Sequence, residues 1–299
     1  MEKKTGTLYL VATPIGNLED ITFRAVQCLK DADLIACEDT RHSKILLDHY
    51  EIRTRTTSYH EHNKYEKAAE LVLQMQQGLN VAVITDAGTP GISDPGEELV
   101  KQALQAGIEV TSLPGPSAVV TALSMSGLSS RRFVFEGFLP MDKKERKAAL
   151  GRLEQETRTI VLYEAPHRIK KTLEELQTVL GDREIRICRE LTKKYEEILP
   201  FTIPEALTYF EQNPPKGEMV VVVKGLEPEE AQAREAARWQ DMSIREHVDL
   251  YMQQGMDEKE AMKAAAGDRG VSKRDIYREL KVDRAGMREL MRQCYPRFM

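Results

Sequence analysis

Residues 8–22, LYLVATPIGNLEDIT, decide how this 299-residue chain folds. An apolar run over 8–12 enters a Thr13-Pro14-Ile15-Gly16-Asn17 turn, and Asp20 stands where a helix is expected to begin. Apolar residues without alternation suit a strand covered on both faces, as in a parallel sheet. Such a sheet leaves the carboxyl ends of its strands open. Ligands collect there, where Gly and Pro turns bare main-chain N–H and C=O groups. The same device recurs twice. An apolar run over 81–84 delivers Asp86 into a turn containing Gly88, Pro90, Gly91 and Pro95, and another over 110–113 ends in Pro114-Gly115-Pro116-Ser117. Ser117 is expected to cap a helix over 118–125.

Outward from these turns, strand-like runs at 7–12, 33–37, 54–58, 80–85 and 108–113 alternate with helical stretches near 20–31, 41–49, 63–78, 95–107 and 117–126. That alternation predicts a doubly wound α/β domain over 1–116. After Gly127 come runs at 132–136, 158–163, 184–190, 197–200 and 217–223, with helices near 143–156, 167–180 and 204–212. Short turns between the closing strands predict a second α/β domain, 117–226, with a mixed sheet. A hinge is expected near 114–127. Residues 227–299 read as helical, and the run from Ala266 through Gly270 and Ser272 to Ile276 has helix-turn-helix spacing.

The net charge of −5 is uneven: residues 269–299 hold nine Lys/Arg against four Asp/Glu, a net +5, which leaves −10 on the remainder. A basic end on an acidic body points to a polyanion, met by Lys273, Arg274 and Arg278, with a second basic cluster at Lys143 and Lys144. Cysteines 28, 37, 188 and 294 form no CxxC pair, and neither an apolar leader nor a run of membrane-spanning length occurs. A cytosolic, membrane-free location is expected. No GxGxxG follows the first strand and no GxxxxGK[ST] occurs, which excludes nicotinamide and P-loop chemistry. His60-Glu61-His62 lacks a third ligand, so no metal is expected.

Strand ends in both halves are charged. Cys37-Glu38-Asp39-Thr40-Arg41-His42-Ser43 closes one, Tyr163-Glu164-Ala165-Pro166-His167-Arg168 another, and Arg189-Glu190-Leu191-Thr192-Lys193-Lys194 a third. A helix start explains Asp39 and Thr40, but not Glu38, Arg41 and His42 beside them. Such density at strand ends suggests a site in a shared cleft.

The strings LYLVATPIGNLEDIT, CEDTRHS, SYHEHN, TDAGTPGISDPG, PGPSA, FEGFLP, LYEAPHR, CRELTKKYEE and KGEMVVVV follow one another over residues 7–223. In this order they resemble the tetrapyrrole methylase fold family, in its branch that modifies small-subunit ribosomal RNA, and the tail with GVSKRDIY fits as well. The resemblance implies two α/β domains holding S-adenosylmethionine in the cleft between them, plus a small C-terminal helical domain. It further implies methylation of the ribose 2′-oxygen of a cytidine in 16S rRNA by a homodimer acting on the assembled small subunit. Cofactor contacts would come from Pro14, Ile15, Asp86, Gly88, Thr89, Ile92, Ser117, Ala118, Leu162, Tyr163 and Met219. Asp86 stands where relatives carry the aspartate of Gly-Asp-Pro, although this chain reads Asp86-Ala87-Gly88.

A ribose hydroxyl is a poor nucleophile at neutral pH and gains from a base. Glu38 or Asp39 is expected to orient it, with Arg41 on a flanking phosphate, His42 also on the RNA, and His62 and Glu164 as further candidates. Two other readings stay open: a small tetrapyrrole carboxylate as substrate, or an RNA-binding assembly factor without turnover.

Overall fold

A computed structural model of the chain describes residues 5–240 and 242–281. Contacts divide the chain into two compact units, Met1–Gly225 and Leu226–Met299. The first lobe of the first unit is built on β1 (Thr7–Val11), β2 (Leu34–Cys37), β3 (Thr56–Ser58), β4 (Val81–Ile84) and β5 (Glu109–Leu113). They form a sheet of order β3-β2-β4-β1-β5 in which every pairing is parallel. Every residue of β2 and β4 is buried, as continuous apolar runs require of central strands.

Helices α1 (Phe23–Asp31) and α2 (Thr40–His49) cover one face, where Leu29 and Leu47 meet Ile35 and Ile84. Helices α3 (Lys64–Gln76) and α4 (Gly96–Gln105) cover the other, where Leu71 and Leu99 meet Val81 and Val83. Asp20 does not start α1. It lies in a single 3-10 turn, and Thr22 caps the helix, its hydroxyl accepting from Ala25 N at 3.1 Å. Behind β3 the buried Tyr59 hydroxyl donates to Pro95 O at 2.7 Å. Tyr59→Phe removes this hydrogen bond while Glu98 N still reaches the carbonyl at 3.1 Å, and is expected to cost about 1 kcal/mol, read as a lower urea midpoint at unchanged slope.

The second lobe comprises α5 (Ala118–Met125), β6 (Phe133–Phe138), α6 (Lys143–Leu153), β7 (Thr159–Glu164), α7 (Ile169–Leu180), β8 (Glu184–Arg189), β9 (Glu197–Thr202), α8 (Ile203–Gln212) and β10 (Met219–Val223). Its sheet runs β6-β7-β10-β8-β9; β6 pairs with β7 in parallel and the other pairs are antiparallel. Helices α6, α7 and α8 close one face around Leu150, Leu173 and Phe210. On the other face Val119, Ala122 and Leu123 of α5 pack with Val161, Cys188 and Val220, joined by Ile15 from the turn after β1. Within the segment expected as a hinge, residues 118–125 form this helix, as read from the sequence. Of its run AVVTALSM, Val119, Ala122 and Leu123 are buried against the sheet while Val120 is exposed.

In the second unit, α9 (Pro228–Gln240), α10 (Ile244–Gln253) and α11 (Glu258–Asp268) precede helical residues 273–281. Ser243 and Glu246 form a capping box at α10. Val248, Ala261, Ala265 and Ile276 form its core. Ser272 accepts from Asp275 N at 3.3 Å, while Lys273, Arg274 and Arg278 are exposed. The basic residues of 282–299 lie outside the described residues. Among the described residues no helix is long and apolar enough to cross a membrane.

Candidate functional site

Three turns at the carboxyl ends of β1, β4 and β5 are bound into one rim. Thr13 and Gly88 exchange main-chain hydrogen bonds at 2.9 and 3.0 Å, and the Thr89 hydroxyl donates to Pro116 O at 3.0 Å. Gly88 sits at φ +88°, a conformation glycine takes without strain. A side chain on Gly115 would lie 2.9 Å from Ala12 Cβ, so the third turn needs glycine for close approach. The loop after Gly88 is held by one carboxylate: Asp94 accepts from Gly91 N at 2.9 Å, Ile92 N at 3.2 Å and Gly96 N at 2.7 Å.

Between this rim and the second lobe lies a cavity of about 460 Å³. Ile15, Phe138, Tyr163, Leu191 and Met219 give it apolar walls, and the Tyr163 ring meets Phe135 and Phe138 at 4.9 and 5.5 Å between centroids. Glu38, Asp86, Asp94, Glu190 and Glu218 also line it, against Lys193, which donates to Glu190 at 3.1 Å and Glu218 at 3.3 Å. Backbone strain gathers here. Ser93, Glu190 and Thr192 are non-glycine residues at φ +65°, +51° and +64°, a pattern typical of sites held in place by their surroundings.

Glu38 lines the cavity with its carboxylate tied to the end of β4. Its Oε2 accepts from the Thr85 hydroxyl at 3.0 Å. Burial, then the nearby Asp86 and Asp94 charges, push its pKa above the usual carboxylate range, opposed by the Thr85 hydroxyl and the Asp86 N–H. Burial likewise raises the Tyr163 hydroxyl.

Ile15, Asp86, Gly88, Thr89, Ile92, Ser117, Ala118, Tyr163 and Met219 all line this cavity with Glu38. Other expected residues fall elsewhere. Leu162 is 0% exposed and points into the core beneath α7, because strand alternation sends it to the face opposite Tyr163. Pro14 and His42 border a neighbouring hollow. Ser117 stands at the cap position of α5, but its hydroxyl makes no capping hydrogen bond. Asp39 is the cap of α2 instead of a cavity residue: it accepts from Arg41 N at 2.8 Å and pairs with the Arg41 guanidinium at 3.4 Å. The Arg41 N–H, then the guanidinium, hold its carboxyl below the usual range. Arg41 itself is 92% exposed.

Glu164 also lines the cavity, its carboxylate held by Ala165 N at 2.8 Å, Thr172 Oγ1 at 2.5 Å and Arg168 Nε at 3.4 Å. His60 and His62 lie 5.9 Å apart between centroids, and among the described residues no group of ligands could hold a metal. Lys143 and Lys144 are exposed at the start of α6. The sequence reading missed Thr85, Ser93, Asp94 and Phe138. A β-bulge between Phe135 and Gly137 brings Phe138 to the cavity, and the lone Gly137 within the strand is the signal that could have marked it.

Residues 7–207 match the model of the tetrapyrrole (corrin/porphyrin) methylases. A protein of Halalkalibacterium halodurans, ribosomal RNA small subunit methyltransferase I, is 50% identical over 276 residues, covering 91% of this chain and 93% of its own. Its namesake from Bacillus subtilis is 48% identical over 272 residues, again 91% and 93%. Among solved structures, a cobalamin biosynthetic enzyme, cobalt precorrin-4 methyltransferase, shares the fold with a TM-score of 0.56 at 18% identity, covering 73% of this chain and 94% of that one.

Proposed function

This chain is a methyltransferase of the tetrapyrrole methylase family, grouped with relatives named ribosomal RNA small subunit methyltransferase I, and from that premise we propose that it moves a methyl group from S-adenosylmethionine to the ribose 2′-oxygen of a cytidine in 16S rRNA. The observation that carries this reading is a cavity both acidic and apolar, of about 460 Å³, within the usual range for small-molecule sites.

The residues suit that cofactor. Its sulfonium and ammonium cations complement Asp86, Asp94, Glu190 and Glu218, while Ile15, Leu191 and Met219 offer apolar surface to a flat ring. Its carboxylate suits the start of α5, where Ser117 leaves the first N–H groups uncapped by its own side chain. When bound, S-adenosylmethionine supplies an electrophilic methyl group on sulfur. Glu38 receives the ribose proton as attack develops, and the Thr85 hydroxyl holds its carboxylate in place. The packed lobes fix the line of approach, which is where most of the rate of such a displacement arises.

Lys143, Lys144, Lys273, Arg274 and Arg278 are exposed cations able to meet phosphates, and Arg41, 92% exposed, can do so by leaving its surface pair with Asp39. Arg41→Ala is expected to weaken binding to small subunits by about fivefold and leave cofactor affinity unchanged, measured side by side by filter binding and calorimetry. Neutralising Lys273, Arg274 and Arg278 together should flatten the slope of log K against log salt by about 2.

The decisive experiment incubates the protein with methyl-labelled S-adenosylmethionine and small subunits lacking the modification, then hydrolyses the RNA in alkali. A 2′-O-methyl group removes the internal nucleophile of alkaline cleavage, so label is expected in a resistant dinucleotide beginning with cytidine. Label released as mononucleotides, or none in RNA, overturns the reading.

A further inference from the structure

The first sheet leaves a second opening. Strand β4 lies between β2 and β1. The chain leaving β4 turns to the face of α3 and α4, while those leaving β1 and β2 turn to the face of α1 and α2. Neighbouring connections thus part over the end of β4, the place where open α/β sheets bind ligands. A hollow of about 280 Å³ lies there, between the turn after β1 and the first turns of α2. Its walls are tied down: the Tyr50 hydroxyl donates to Leu18 O at 2.7 Å, and Asp39 N donates to Asp86 Oδ1 at 3.2 Å.

Two features mark it as a built site. Ser43 lines it, is 4% exposed, and its Oγ has no hydrogen-bond partner. The Cys37 sulfur beside Ser43, whose thiol donates to Thr57 O at 3.6 Å, offers that hydroxyl only a weak acceptor. Buried hydroxyls are seldom left so poorly met, and a polar atom of an occupant offers this one a stronger acceptor. Moreover, Thr85 and Asp86 line both this hollow and the larger cavity, so an occupant here abuts the cofactor position and Glu38. Pro14, Leu18, Leu46 and Ile84 supply apolar contact for a flat ring.

We infer that this hollow receives one unstacked pyrimidine nucleoside of the RNA, its base between Leu18 and Leu46 with an edge on Ser43 Oγ, and its ribose turned toward Glu38. The inference rests on the methyl-transfer reading above and adds the substrate's own subsite. Proteins read RNA bases splayed out of the stack in this way. A volume below the usual range for drug-sized ligands fits one pyrimidine nucleoside and is too small for a macrocycle of four pyrrole rings.

The test uses the full chain with labelled Ile and Leu methyl groups, saturated with S-adenosylmethionine and titrated with cytidine. Shifts are expected at Leu18, Ile45, Leu46 and Ile84, with Leu173 of the second lobe silent. Ile45→Arg, at a position 62% exposed, and Ser43→Val both close the hollow. Each should abolish the cytidine shifts and raise KM for small subunits by about tenfold or more, with cofactor affinity by calorimetry unchanged. No shifts up to the solubility of cytidine, shifts confined to other methyls, equal response to adenosine, or wild-type KM in Ile45→Arg would each overturn the inference. The outcomes separate cleanly. Wild-type protein that methylates RNA while Ile45→Arg keeps its KM sinks only the subsite, whereas wild-type protein that labels no RNA sinks the parent reading, and the titration still decides the hollow.

Discussion

Glu38→Gln is expected to slow methyl transfer by about 100- to 1,000-fold while cofactor affinity stays close to that of the wild type. The substitution keeps the shape and the Thr85 hydrogen bond at 3.0 Å but removes the ability to take a proton. Because burial raises the Glu38 pKa, the wild-type rate should climb with pH on its acidic side, from a limb above the ordinary carboxylate range, and that limb should vanish in the variant. Stability moves the opposite way. A carboxyl whose pKa is raised by folding favours the fold below its unfolded pKa, and this advantage is lost as pH rises through the folded value. Glu38→Gln should therefore melt higher than wild type at neutral pH and no higher at acidic pH, which scanning calorimetry at two pH values decides. Unchanged turnover in the variant would remove Glu38 from the chemistry.

Asp94→Ala should weaken cofactor binding by about 10- to 100-fold and lower the melting temperature by several degrees. One carboxylate accepts from Gly91, Ile92 and Gly96. Without it those N–H groups lose a charged acceptor worth about 1.5–3 kcal/mol per hydrogen bond at most, part of which water restores. The loop they shape carries Ile92 and Ser93, and Ser93 is held at φ +65°. Across the cavity Gly137 sits at φ +62° in the β6 bulge, so close that a side chain there would lie 3.0 Å from Ser93 Oγ. Relaxing the loop therefore disturbs both walls. Asp94→Asn, which keeps one acceptor oxygen, should fall between the two. Calorimetric titration of S-adenosylmethionine measures the loss, and wild-type affinity in Asp94→Ala would show that the loop does not shape the site.

The order of strands and helices was legible because β2 and β4 are unbroken apolar runs and because Gly88, Pro90 and Gly91 punctuate the chain where a turn must form. The same apolarity hid which residue of β7 faces the cavity. When both faces of a strand are buried, the two-residue period has no visible phase, and Leu162 and Tyr163 look alike in sequence. At the end of β2 the ambiguity was one residue wide: Glu38 and Asp39 both follow the strand, but the first faces the cavity while the second turns back to cap α2. Position 117 was recognisable as the start of α5, yet whether its hydroxyl folds back depends on a side-chain rotation that spacing does not encode. Asp94 escaped notice because its partners are main-chain groups within five residues of loop, which composition does not reveal.

Ile15 belongs to the turn after β1 yet is rooted in the apolar layer between α5 and the second sheet. The two walls of the site cannot swing apart like a clamshell without uprooting it. On the proposed reading, the methyl donor enters and leaves with the two lobes still joined, through a doorway without a door. On that reading, the order in which nucleoside and cofactor bind is set by which of them blocks the passage, not by the closing of a jaw.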